Sequence, residues 1–125
     1  SWSIWGSTAH QTRLPRLEII QSTWLAMSNS QQPRSVIFAL HPGEDETVWQ
    51  AHICVLSASG RVIWRVPQSP WIVPNQSAWT GAWDGRNEHG ILAAAGNYLL
   101  QVIFEEAETG RRIPKVAPVY MAPAQ

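Results

Sequence analysis

Cysteine is almost absent. Cys54 is the single cysteine in 125 residues, so no disulfide can close within the chain and no set of paired thiolates can hold a zinc ion. Charge is scarce as well. Asp, Glu, Lys and Arg make up 14% of the sequence, against about 25% in ordinary soluble domains. The 9 Lys and Arg balance the 9 Asp and Glu. Zero net charge argues against a nucleic-acid-binding module, which carries a basic footprint, and against a polybasic segment held at a membrane surface. No apolar run reaches the roughly 18 residues of a spanning helix, so no transmembrane segment is expected. The chain opens on Ser1, and its first residues show no signal-peptide pattern.

Catalytic signatures are missing too. There is no G-x-S-x-G elbow, no Walker loop, no dinucleotide fingerprint and no H-E-x-x-H. His10, His41, His52 and His89 lack paired metal-ligand spacing. Asp84, Asn87 and Glu88 suggest a calcium loop, but Arg86 takes one of the alternating positions that must supply an oxygen. A Ser, His and Asp set can be assembled from scattered positions, as in almost any chain. The expectation is therefore no catalytic residue, no cofactor and no metal. Cys54, within the run 51–56, packs as a small buried hydrophobe. Asn75-Gln76-Ser77 is a glycosylation sequon with meaning only in a eukaryotic secretory setting.

Against these absences stands an excess of tryptophan: Trp2, Trp5, Trp24, Trp49, Trp64, Trp71, Trp79 and Trp83. A domain of this size has room for two or three core indoles, each burying about 150–250 Å². Low charge with surplus Trp is the composition of an interface core. About half of the indoles are thus expected to fill the interior and the rest to face a partner.

The patterning is that of strands. Residues 1–12 are rich in Ser and Thr with two Trp and form an N-terminal arm; 13–125 form one domain. Leu14 to Met27 fits both periods, and a strand is favoured because its neighbours are strands. Val36, Phe38 and Leu40 alternate with their neighbours, and His41 to Glu46 is a turn. Trp49 to Leu56 is the longest β-rich stretch, apolar on both faces from Ile53 on, hence central. Ser57 to Gly60 is a short hairpin connection into the half-exposed strand around Val62, Trp64 and Val66. Pro67 to Pro74 carries three prolines around Trp71 and suits a connection or sheet edge. Ala78 to Trp83 leads to the Asp84-Gly85 turn. Tyr98, Leu100, Val102 and Phe104 share one face of a strand, Glu106 to Arg111 is a charged turn, and Ile113 to Met121 is a proline-bearing edge strand. About seven short strands with frequent turns predict an all-β, antiparallel sandwich.

The run Trp83-Asp84-Gly85-Arg86-Asn87-Glu88-His89-Gly90, followed by Gly96-Asn97-Tyr98, predicts a tight β-hairpin. Asp84 is expected to cap backbone N–H groups two residues on, Gly85, Gly90 and Gly96 to take positive φ, and Trp83 and Tyr98 to pack beneath the turn.

Together with Ser59-Gly60-Arg61-Val62-Ile63-Trp64-Arg65, these residues resemble a pattern shared by two groups of bacterial immunoglobulin-like domains. One is the Ig-like domain of flagellar hook-cap proteins and related secreted proteins; the other is the intracellular proteinase-inhibitor family. The resemblance covers residues 33–106. It departs at Ala95-Gly96, where Pro-Gly often precedes the Tyr, and neither the N-terminal arm nor the Trp71 loop has a counterpart. It implies a single immunoglobulin-like sandwich and a non-catalytic structural or accessory module. Such a module would dock protein partners in a larger bacterial assembly, in the periplasm or outside the cell. Trp2, Trp5, Trp71 and Tyr120 are the candidate anchors, and self-association is compatible with them. Two other roles are implied: a cytoplasmic proteinase inhibitor acting through residues 64–74, whose prolines would supply rigidity, and a glycan-binding module stacking sugars on exposed Trp.

Overall fold

The computed structural model describes residues 14–21, 35–43 and 45–123. All regular elements among them are strands: β1 Arg16–Gln21, β2 Val36–His41, β3 Trp49–Ser57, β4 Val62–Arg65, β5 Trp71–Ile72, β6 Trp79–Trp83, β7 Gly96–Glu106 and β8 Arg112–Met121. They form two antiparallel sheets, β1-β2-β6 and β4-β3-β7-β8, with β5 paired to the start of β3. The chain is an all-β sandwich. Its strand count is eight rather than seven because the proline-rich segment yields the two-residue β5, long enough only to pair Gln50 with Trp71 and Trp49 with Ile72.

Alternation explains the interior. Successive strand residues point to opposite faces, so Val36, Phe38 and Leu40 of β2 meet Trp49, Ala51, Ile53 and Val55 of β3 and Leu100, Val102 and Phe104 of β7, all buried. Trp49 meets Phe104 edge-on, with ring centroids 6.5 Å apart, while Arg111 lies 5.4 Å over the indole, within cation–π range. β3 is central, as its composition implies, but it is not the longest: β7 has 11 residues and β8 has 10, against 9 in β3.

The expected strand within Leu14 to Met27 is present as β1; residues 22–27 lie outside the described residues, as do the arm at 1–12 and the indoles of Trp2, Trp5 and Trp24. The hairpin at Ser57 to Gly60 is present, closed by Ser57 N–H to Arg61 C=O at 2.8 Å and Gly60 N–H to Ser57 C=O at 2.9 Å.

Asp84-Gly85 is a turn but not a β-hairpin. β6 belongs to the first sheet, where Trp83 pairs with Val36, and β7 to the second, where Gly96 pairs with Met121. Residues 84–95 cross between the sheets. Asp84 Oδ1 accepts from Arg86 N–H at 3.0 Å. The small hairpin in this stretch is built by Asn87 instead, whose Oδ1 accepts from His89 and Ile91 N–H while Arg86 bridges Leu92. An Asp-Gly pair sets local chain direction; it does not specify which sheet the next apolar run joins.

Tight packing of the short sheet depends on one glycine. An added Cβ at Gly81 would lie 2.6 Å from the Trp79 ring and 2.9 Å from Phe38 Cζ, and Trp79 is itself held against Phe38 with centroids 6.0 Å apart. Gly81→Ala is expected to destabilise the chain by about 1–3 kcal/mol, the usual cost of overpacking, measured by urea denaturation. Unchanged stability would mean that Trp79 swings aside freely.

Candidate functional site

The outer face of the five-stranded sheet is the candidate site. On β3 the inward residues are buried and Gln50, His52, Cys54 and Leu56 point out. Register extends these into rows. Val62, Leu56, Leu99 and Pro118 lie side by side. Next come Arg65, Cys54, Gln101 and Val116. Below them His52, Ile103 and Pro114 form a row that Ser69 completes. Last come Trp71, Gln50, Glu105 and Arg112. Two of the expected anchors fall on this face, Trp71 with 54% of its surface exposed and Tyr120 with 39%, at opposite ends of the sheet. Val116, 51% exposed, lies between them. An aliphatic row and a row whose one charge is Arg65 thus run through the His52 row into a polar row closed by an open indole.

Cys54 is half-buried on this face and not in the core, because Ile53 and Val55 take the inward positions of β3. Its thiol donates to Gln101 Oε1 at 3.4 Å. Burial raises the thiol pKa above the ordinary range, and the Arg65 guanidinium opposes this. Folding therefore favours the protonated thiol. That contribution is complete below the unfolded-state pKa and is lost as pH rises through the folded value. Iodoacetamide is expected to alkylate Cys54 more slowly in the folded chain than in urea at pH 8. Equal rates would show a thiol with an ordinary pKa and full access.

A cluster with no sequence signature sits on the third row. His52 Nε2 lies 2.8 Å from Glu105 Oε1 and His52 Nδ1 lies 3.0 Å from Ser69 Oγ; Arg112 Nη2 is 3.6 Å from the same carboxylate oxygen. A carboxylate only accepts, so Nε2–H donates to Glu105; with the proton on Nε2 alone, Nδ1 accepts a hydrogen bond from the Ser69 hydroxyl. Ser, His and Glu thus stand in series as in a hydrolase triad. The residue after Ser69 is Pro70, which has no N–H to stabilise a developing negative oxygen. The chain on either side of Ser69 is tied along β3: Gln50 Nε2 donates to Ser69 C=O at 3.5 Å, Ala51 N–H to Pro70 C=O at 2.9 Å and Val66 N–H to Ile53 C=O at 3.0 Å. Ser69 and Glu105 are 17 and 53 residues from His52 in sequence; the β3–β7 register, with His52 opposite Ile103 and diagonal to Glu105, brings the carboxylate, and the pairing of the Pro70–Ile72 stretch with β3 brings Ser69. Among the described residues no group of three or more His, Cys, Asp or Glu is arranged to hold a metal ion.

The turn residues form a separate structural unit at the end of the sandwich. Trp83 is fully buried, and its Nε1–H donates to Arg86 C=O at 2.9 Å. Tyr98 meets it edge-on with centroids 5.4 Å apart, and its hydroxyl donates to Ala94 C=O at 2.6 Å. Gly85, Gly90 and Gly96 have φ of 84°, 79° and 141°. A bulge in the β3–β4 ladder lies at Ile63, whose carbonyl accepts Glu88 N–H at 3.2 Å, anchoring the crossover to β4. Asp84 and Asn87 spend their side-chain oxygens on backbone N–H groups of the loop itself.

No protein-family model matches this chain, and no curated protein matches it. Among solved structures, one described as "X-ray structure of Northeast Structural Genomics Consortium target SoR45" aligns over 90% of this chain and 85% of its own, at 15% identity and a TM-score of 0.37. A likeness that distant carries no argument about function.

If the cluster is a staple, His52→Ala lowers stability by about 1 kcal/mol, the usual net worth of lost hydrogen bonds, and speeds hydrogen exchange at the Val66 and Ala51 amides. If it is a nucleophilic site, a fluorophosphonate probe labels Ser69. Protection unchanged in His52→Ala, with labelled Ser69, would reverse the assignment.

Proposed function

We propose that this chain is a non-catalytic interaction module, an immunoglobulin-like structural or accessory subunit that docks protein partners in a larger bacterial assembly of the periplasm or cell exterior. The outer face of the β4-β3-β7-β8 sheet is its docking surface, with Trp71 and Tyr120 as anchors. The observation that carries this reading is the character of that face: its two upper rows hold one charge, Arg65, while Trp71 and Val116 stand more than half exposed. Charge-poor cores with aromatic anchors are what binding patches present. The partition of strands into β1-β2-β6 and β4-β3-β7-β8, linked by the 84–95 crossover, suits the immunoglobulin-like resemblance. No helix among the described residues is long and apolar enough to cross a membrane. Trp2 and Trp5 supply further indoles on the same reading.

The geometry favours docking over its rivals. A proteinase inhibitor must present a protruding loop, whereas residues 64–74 are tied along β3 at Val66, Ser69 and Pro70 and pair with it through β5. A glycan platform needs several coplanar indoles on one face. Among the described residues Trp71 alone stands on the outer face, since Trp49 and Trp83 are buried and Trp64 and Trp79 pack against the core.

The test is co-purification from the native source at low salt. Trp71→Ala and Val116→Asp replace exposed side chains, so folding stability should move by no more than about 0.5 kcal/mol, while the proteins that travel with the wild-type chain are lost. Both variants retaining the full set of companions would reject the docking face.

A further inference from the structure

We propose that the occupant of this face is a second copy of the chain, related by a two-fold axis that runs parallel to the strands between β3 and β7. The inference rests on the docking reading above and names its partner.

Such an axis keeps every row at its level and exchanges the row's two ends, the self-complementary arrangement of an isologous interface. Three of the four rows match themselves under that exchange, and the third sets His52 against Ile103 and Ser69 against Pro114. In the first, Val62 meets Pro118 of the second copy and Leu56 meets Leu99, all aliphatic. In the second, Cys54 meets Gln101 and Arg65 meets Val116 at the rim, where the Arg65 side chain, 63% exposed, keeps its guanidinium in water. In the last, Trp71 meets Arg112 of the second copy, an indole against a guanidinium, and Gln50 meets Glu105, an amide against a carboxylate. Indole–guanidinium stacking is favourable within about 6 Å. Arg65 of one copy and Arg112 of the other stand two rows apart, about 14 Å at the strand rise, beyond the Debye length of about 8–10 Å in ordinary salt.

The alternative face-to-face axis, perpendicular to the strands, fails the same test. It lays the last row on the first, setting the Glu105 carboxylate on Leu99 and Arg112 on Pro118, so the Glu105–Arg112 pair loses its water to aliphatic neighbours that offer it no hydrogen bond. Edge pairing through β8 fails too. Pro114 and Pro118 occupy alternate positions of one phase of that strand, and proline has no N–H to offer a new ladder. Lys115 of β8 points toward the sandwich interior opposite Val102, a further device that blunts an edge.

Four strands about 4.8 Å apart and four rows about 6.8 Å apart cover roughly 500 Å² per copy. The total of roughly 1,000 Å² is at the low end of specific interfaces, so the dimer is weak and reversible, with dissociation in the micromolar range.

Sedimentation velocity of the whole chain from about 1 μM to 1 mM reads the outcome. The expected result is a mass rising from 14.0 kDa toward twice that value, with Val116→Arg, which sets a guanidinium against Arg65 of the second copy, weakening association at least tenfold while circular dichroism stays unchanged. Trp71→Ala and Arg112→Ala each weaken it as well. Their equimolar mixture associates more tightly than either variant alone, because each mixed pair regains one of the two indole–guanidinium contacts. A monomer at every concentration, a dimer indifferent to Val116→Arg, or a mixture no tighter than its components would overturn the inference. A monomeric chain that still loses its native companions on Val116→Asp would overturn the second copy and leave the docking face standing.

Discussion

Everything in this sandwich hangs on the pairing of β3 with β7. Nine consecutive positions, from Trp49 opposite Glu106 to Ser57 opposite Tyr98, hold one register. Side chains alternate with a period of two, so a slip of a single residue would turn Trp49, Ala51, Ile53 and Val55 outward and bury Gln50, His52 and Cys54. The core and the outer face are two consequences of one alignment. The slip is prevented chiefly by hydrophobic burial: the inward positions hold Trp49, Ile53, Val55, Leu100, Val102 and Phe104, and a slip would bury Gln50, His52 and Glu105 in their place.

The two ends of that pair do different work. At the Tyr98 end, the Trp83–Tyr98 ring contact and their hydrogen bonds to Arg86 and Ala94 carbonyls lock the crossover between sheets. Buried indole and phenol groups need partners for their polar atoms, and here the partners are the backbone of the crossover itself. At the Trp49 end, the ladder continues sideways into β5, and the Ser69–His52–Glu105 series holds the proline-rich approach flat against the sheet. That flatness denies the segment a protruding loop and leaves Trp71 level with the rest of the face. A level surface of this kind suits docking to another sheet better than insertion into a cleft.

The strands at Val36–Leu40, Trp49–Leu56 and Tyr98–Phe104 were visible in alternation, and the β3–β4 hairpin in Ser57-Ala58-Ser59-Gly60, because both signals are local. The crossover was not, since Asp84-Gly85 encodes a turn without encoding which sheet receives the chain afterwards. Cys54 looked buried because its neighbours are apolar; which of Ile53 and Cys54 points inward depends on the opposing sheet. The Ser69–His52–Glu105 cluster is invisible for a related reason: its members share no spacing, and they meet only through a diagonal across β3 and β7 and the pairing of β5 with β3.

Composition and local pattern alone were enough to establish an all-β chain poor in charge, rich in indole and built around one dominant set of strands. They rest on residue type and on periods of two, which any short window displays. Folding in three dimensions assigned the faces. It sorted the described indoles into buried Trp49 and Trp83, packed Trp64 and Trp79, and open Trp71. It also aligned the outward residues of separate strands into one charge-poor surface. Those outcomes required long-range registers, and no short window contains both partners of a strand pair.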